Sequence, residues 1–247
     1  MAKNRKHERT FLNQELERID PLNTRWYQKK TLSEHLERYK LASKFINNKV
    51  VVDLGCGTGY GSFLLANAGA KKVYSIDIDS QSIKYALKNY KHKLITYLAR
   101  DALNTRLKDK YADIVVSFEI IEHVKNYKQF VLEVARILKP NGLFIFSTPN
   151  EIMSLGNNPY HFKEFTILEL KKVLTKDFFD IEFFGQRKVF NLISKFYKKF
   201  SLLLPNRYRF IFSFRPWENF QIHKIPSNID ASYLYLIVIC KKKETLK

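Results

Sequence analysis

Apolar residues in this chain fall into two alternating patterns: short continuous runs, and stretches where they recur every three or four positions. The continuous runs predict buried strands at Val50 to Asp53, Lys72 to Ile78, Leu94 to Ala99, Asp113 to Ser117, Leu143 to Ser147, Phe178 to Phe184 and Ser232 to Cys240. The helical spacing predicts helices at Ser62 to Ala68, Gln81 to Tyr90 and Tyr127 to Leu138. Gly69 is placed to cap the first of these helices, Pro140 to stop the third, and Asn141-Gly142 to turn the chain into the next strand. Strands and helices alternating at this interval give an α/β fold, a parallel sheet with helices on both faces. Right-handed crossovers then put ligands at the carboxyl ends of the strands.

The 247 residues, 45% apolar and 15% aromatic, can bury a sizeable core and exclude a disordered chain. The first residues are charged and carry no apolar leader segment, and the most apolar stretch, Tyr233 to Cys240, is too short to span a bilayer. Cys56 and Cys240 offer neither a disulfide framework nor a metal-binding spacing. The expectation is a cytoplasmic protein.

The first strand runs through Asp53 into Leu-Gly-Cys-Gly-Thr-Gly-Tyr-Gly, with glycines at 55, 57, 59 and 61. A glycine has no Cβ, so a ligand can lie directly on its backbone and positive φ costs little. The Asp-x-Gly-x-Gly-x-Gly spacing differs from the Gly-x-Gly-x-x-Gly of nicotinamide oxidoreductases, which are the runner-up for this half of the chain. It resembles the first motif of class I S-adenosylmethionine (SAM)-dependent methyltransferases. That resemblance implies a Rossmann-like, seven-stranded, mostly parallel sheet whose last strand inserts antiparallel. It also implies one domain over 1–247: a helical extension at 1–49, a SAM-binding core at 50–184, an insertion at 185–230 and a final strand at 231–241.

SAM is the implied cofactor, held by Asp53, Gly55, Cys56, Gly57, Gly59 and Tyr60 around the turn. Asp77 ends the second strand, 22 positions after Gly55, where an acid accepts hydrogen bonds from ribose hydroxyls. Ile78 would pack on the adenine face, Asp101 matches the position that receives the adenine amino group, and Ala102 and Phe118 complete the expected set.

The fourth strand leads into Ser117-Phe-Glu-Ile-Ile-Glu-His-Val124, and Asn158-Pro-Tyr-His-Phe-Lys-Glu-Phe-Thr166 follows the fifth. These phrases resemble methyltransferases that act on hydroxyl groups: enzymes of glycan and polysaccharide biosynthesis, ubiquinone-biosynthesis O-methyltransferases and small-RNA 2′-O-methyltransferases. Two mechanisms are open. In one, Glu119, Glu122, His123 and His161 bind a divalent cation that acidifies and orients the acceptor hydroxyl, as the matching positions do in the small-RNA enzymes. In the other, no metal binds and His161 or His123 is a general base.

The helix carrying Glu34-His35-Leu36-Glu37-Arg38-Tyr39 resembles one that covers the cofactor pocket in these enzymes; otherwise it is an ordinary solvated amphipathic helix. The segment Gln186 to Lys224 is basic and aromatic, fitting an anionic membrane face, single-stranded RNA, or a helical lid packed on the domain. The net charge of +19 allows nucleic-acid, membrane or acidic-substrate partners, and equally a lysine-rich composition with no partner behind it. The expected acceptor is a sugar, glycan or lipid-linked intermediate, with peripheral contact at the inner face of an anionic membrane. A quinone-like phenol comes next and an RNA 2′-hydroxyl third. A methyltransferase-like binding module without catalysis is the non-enzyme alternative.

Overall fold

The computed structural model describes residues 19–25, 28–154, 158–188, 220–226 and 232–244. Residues 189–219, the bulk of the basic aromatic insertion, lie outside the described residues, as do residues 1–18. Two compact units form, one ending at Arg106 and the other beginning at Leu107.

The first unit opens with helix α1 (Lys29–Ser43), then β1 (Val50–Leu54), α2 (Tyr60–Asn67), β2 (Lys72–Asp77), α3 (Ser80–Asn89) and β3 (Ile95–Ala99). Its strands pair in parallel, β1 with β2 and β2 with β3, in the register Val52↔Tyr74 and Tyr74↔Thr96. Burial on both faces explains the apolar run at 50–52 that opens β1: Val51, Val52 and Leu54 have no exposed surface. Asp79 caps α3 through hydrogen bonds from the Gln81 and Ser82 amides, so the helix starts one residue earlier than the periodicity suggests.

The second unit contains β4 (Ala112–Phe118), a 3₁₀ turn (Ile121–His123), α4 (Tyr127–Ile137), β5 (Leu138–Pro149), α5 (Ile167–Leu174), β6 (Phe178–Lys188), β7 (Ile222–Lys224) and β8 (Tyr233–Lys242). β4 and β5 are parallel, and β8 lies between β5 and β6, antiparallel to both, as expected of the last strand. Eight strands are present among the described residues rather than seven. The additional one, β7, is a three-residue strand on β6 that lacks the apolar run a sequence reading needs. Asn141-Gly142 also behaves differently from the expected turn: it is a bulge inside a longer β5. Asn141 adopts φ +61, and the register jumps from Ala112↔Leu138 to Ile114↔Leu143. No helix among the described residues is long and apolar enough to cross a membrane.

Candidate active site

The first unit builds a cradle at the end of β1. The amides of Gly55 and Cys56 both donate to the Ile76 carbonyl, at 2.7 and 3.0 Å, which folds the glycine turn back over β2. Gly57 has φ +52 and nothing within 4 Å of where a Cβ would stand, so its backbone faces open space that a ligand can occupy. Gly59 starts α2 at φ +88, and a Cβ there would meet Ala86 at 2.6 Å. Asp77 accepts from the Gly57 amide at 2.8 Å through one carboxylate oxygen and from the Asp79 amide at 2.9 Å through the other. A carboxylate has about four acceptor sites, so two remain for a vicinal diol.

Beside Asp77, Ile78 is 74% exposed, an unusual position for an isoleucine, and it lines a cavity of about 450 Å³ with Ala99, Arg100, Asp101, Asn104 and Arg106. Asp101 is exposed there, its carboxylate oriented by the Leu103 amide at 2.8 Å. An apolar face and the carboxylate of Asp101 thus share one cavity beside Asp77. Ala102 is not part of that lining.

The remaining expected residues of the turn act from behind it. Asp53 is 1% exposed and accepts from Ser62 Oγ at 2.6 Å and Tyr39 Oη at 3.3 Å. Burial pushes its carboxyl up to about 7, against the pull of these two hydrogen bonds. Cys56 is buried, and burial with the nearby Asp53 pushes its thiol up. Tyr60 is buried edge-on against Tyr39, with ring centroids 5.7 Å apart, and burial together with Asp53 raises its phenol.

Helix α1 is not a solvated amphipathic helix. Its inward face is charged and polar, with Glu34 and Arg38 fully buried and Tyr39 5% exposed. Desolvation and the Arg38 guanidinium push His35 down to about 3, so this imidazole is neutral at physiological pH. Of the groups behind the cradle, the Asp53–Tyr39 and Asp53–Ser62 bonds were not anticipated, since nothing in the local spacing links residues 39, 53 and 62.

The acids and imidazoles after β4 belong to the second unit. Phe118, expected on the cofactor side, is 5% exposed at the end of this strand. Glu119 follows it at φ +55, a left-handed conformation uncommon for a glutamate. It is held there by Ser147: the Glu119 amide donates to the Ser147 carbonyl at 3.1 Å, and Ser147 Oγ donates to Glu119 Oε1 at 2.6 Å. The 3₁₀ turn places Glu122, with no exposed surface, beside His123. The Glu122 carbonyl accepts from the Phe162 and Lys163 amides at 2.8 and 3.3 Å, tying the loop of His161 to this turn. The two imidazoles meet edge to face, with centroids 4.8 Å apart. His123 Nδ1 lies 3.2 Å from the Tyr160 carbonyl, an acceptor, so Nδ1 carries the proton.

His161 is flanked on both nitrogens, by Glu164 Oε1 2.7 Å from Nδ1 and by Asn158 Nδ2 2.9 Å from Nε2. Neither Glu164 nor Asn158 was singled out in the sequence; the His-x-x-Glu spacing of 161 and 164 was the available signal.

Donor atoms of Glu122, His123 and His161 lie within 4.8 Å of one another. Three of the four residues expected to bind a cation are thus brought together, while Glu119 is engaged with Ser147 and stands outside that group.

The mostly parallel strands and the glycine turn after β1 define a Rossmann-like α/β fold. The solved SAM-dependent methyltransferase of Archaeoglobus fulgidus shares the fold, with a TM-score of 0.59 and 19% identity over 86% of this chain and 94% of that one. Residues 52–146 match the family model described as "Methyltransferase domain". A "Probable S-adenosylmethionine-dependent methyltransferase" of Mycolicibacterium smegmatis is 36% identical over 137 residues, 53% of this chain and 52% of that protein. The "Ubiquinone biosynthesis O-methyltransferase" of Rickettsia typhi is 37% identical over 119 residues, 47% of each chain. The chain spans about half the length of the curated relatives it matches. Its residues 52–146 are thus similar to the methyltransferase domain of SAM-dependent methyltransferases.

Proposed function

We propose that this chain transfers the methyl group of SAM to a hydroxyl oxygen of a small acceptor, a sugar or glycan intermediate in the first reading, and releases S-adenosylhomocysteine. The observation that carries the SAM half is Asp77. Its carboxylate is anchored to the Gly57 amide at the mouth of a glycine cradle, beside the exposed Ile78 and the Asp101 cavity. When bound, SAM supplies an electrophilic methyl carbon on a positively charged sulfur. Asp77 holds the ribose, Ile78 and Asp101 hold the base, and the open Gly57 backbone admits the methionine chain carried by the ribose.

On the acceptor side, the group suited to take a hydroxyl proton is His161, whose Nε2 is the lone-pair nitrogen in this arrangement. Methyl transfer otherwise needs positioning and exclusion of water rather than covalent help. A quinone-precursor phenol is the second reading, favoured by the likeness to the Rickettsia O-methyltransferase. An RNA 2′-hydroxyl and peripheral binding to an anionic membrane are further expectations, supported by the basic aromatic composition of residues 186–224 and the net charge of +19.

The test is methyl transfer from SAM carrying a labelled methyl to sugar, glycan and phenol acceptors, alongside SAM titration by calorimetry. Label is expected in a hydroxyl acceptor, with His161→Ala lowering the rate about 10²- to 10⁴-fold and leaving SAM affinity unchanged. Folded protein that fails to bind SAM would overturn the reading.

A further inference from the structure

The second unit holds a cavity of about 200 Å³ that is lined from α5, β6 and β7. None of its lining residues belongs to the sets expected for SAM or for the acceptor. Its floor is apolar: Ile167 of α5, Phe183 of β6 and Ile225 are all buried. Ile225 follows β7 and donates its amide to the Phe183 carbonyl at 2.8 Å, which closes that floor. Three consecutive residues of β6, Ile181, Glu182 and Phe183, line the space, which strict alternation along a strand does not allow. A bulge makes it possible. From Phe179 to Glu182, three steps along β6 match two along β8, and Asp180 stands at φ +50 in between. Lys241 of β8 holds the Asp180 carboxylate at 2.7 Å.

Two lysines and one glutamate complete the lining. Lys224 of β7 is ion-paired with Glu182, so these two charges cancel at the rim. Lys171 of α5 stands over the Phe183 ring, its Nζ 5.7 Å from the centroid, and meets no carboxylate among the described residues. The cavity therefore carries one positive charge in excess beside an apolar floor. We propose that it binds a small organic monocarboxylate, with the carboxylate on Lys171 and a ring or short chain on Ile167, Phe183 and Ile225. One negative charge matches the excess, whereas a phosphate dianion brings a second charge toward Glu182. The volume lies below the roughly 300–1,000 Å³ of pockets that take drug-sized ligands, which limits the body to a single ring or a short chain. The proposal goes beyond the methyl-transfer reading and does not rest on it.

The experiment is a titration of the isotope-labelled full chain with benzoate at constant ionic strength, followed by backbone amide shifts. Saturable shifts are expected at Ile181, Glu182, Phe183 and Ile225, with a dissociation constant on the order of a millimolar. Lys171→Gln is expected to weaken binding about tenfold, while Lys172→Gln, its exposed neighbour on the same helix, leaves it unchanged. Benzyl alcohol has the ring without the charge and inorganic phosphate the charge without the ring; neither is expected to saturate these amides or to displace benzoate. Absence of saturable shifts in the unsubstituted protein overturns the proposal without any variant, so a substituted protein that does not fold leaves the test standing. Equal weakening by the two lysine variants would mean diffuse attraction to a chain of net charge +19, and overturns it. Equal binding of benzyl alcohol, or displacement of benzoate by phosphate, also overturns it. None of these titrations contains SAM or an acceptor. Failure to bind SAM therefore counts against the proposed function, and failure to bind benzoate counts against the cavity.

Discussion

Asp53 sits under the glycine turn with its carboxyl pushed up to about 7, so burial outweighs the two hydroxyl groups that donate to it. An aspartate in the unfolded chain titrates near pH 4. Between about pH 4 and pH 7 the native state therefore keeps a proton that the unfolded chain has lost, and stability falls as pH rises through that window, then levels off. The total is on the order of a few kcal/mol. Melting temperatures recorded from pH 4 to 9 should show the Asp53→Asn protein free of this decline and gaining on the unsubstituted protein toward pH 7. At the same scale, Asp77 acts on ligand and loop together. Asp77→Ala removes at once the acceptor that orients the Gly57 amide and the oxygens proposed to hold the ribose. Hydrogen bonds to a charged group contribute about 1.5–3 kcal/mol, so calorimetry should find SAM affinity lowered at least tenfold with the fold retained.

Helix α1 docks on α2 by a close approach that one glycine permits. A Cβ on Gly61 would stand 1.9 Å from the Tyr39 ring, and that ring cannot swing away freely because its hydroxyl is engaged with buried Asp53. Gly61→Ala is expected to cost about 1–3 kcal/mol, the usual penalty of overpacking. The same change in a Tyr39→Ala background should cost much less, and denaturant melts of the four proteins measure the coupling. Further along the chain, α5 follows directly on the loop of His161 and Glu164. Its start is set by a capping box in which Thr166 Oγ1 accepts the Glu169 amide at 3.2 Å and Glu169 accepts the Thr166 amide at 3.0 Å. Thr166→Ala should lower stability by about 1 kcal/mol.

For the molecule as a whole, the net charge of +19 separates the acceptor classes by salt. A protein contacting several phosphates of a nucleic acid loses about 10³- to 10⁵-fold in affinity between 50 and 200 mM salt when six to ten contacts are made. A small acceptor releases few counterions. The expected outcome is a transfer rate that changes by less than about tenfold over that range, measured with the acceptor found by the labelled-methyl screen. A steep loss would move the reading to RNA.

The alternation of apolar runs and helical stretches sufficed for the α/β class and the order of the elements up to β5; the antiparallel last strand came from the family resemblance, and α5 was not foreseen. The class and that order depend on local burial or on a stop residue close by in the chain. The glycine turn, Asp77, Ile78 and Asp101 were legible for a related reason. A strand end followed by a tight turn puts its ligand groups within a few residues, and chain order is enough to place them. Tertiary structure decided what the other acids and imidazoles do. Asp53 is a buried support because Tyr39 and Ser62, far off in sequence, close over it. Glu119 leaves the expected cation set because Ser147 of the neighbouring strand holds it. The His161 ring is held between Asn158 and Glu164, contacts that its position in the chain does not announce. A hydrogen bond needs two atoms within about 3 Å in the right orientation, and the linear order of residues carries no such distance.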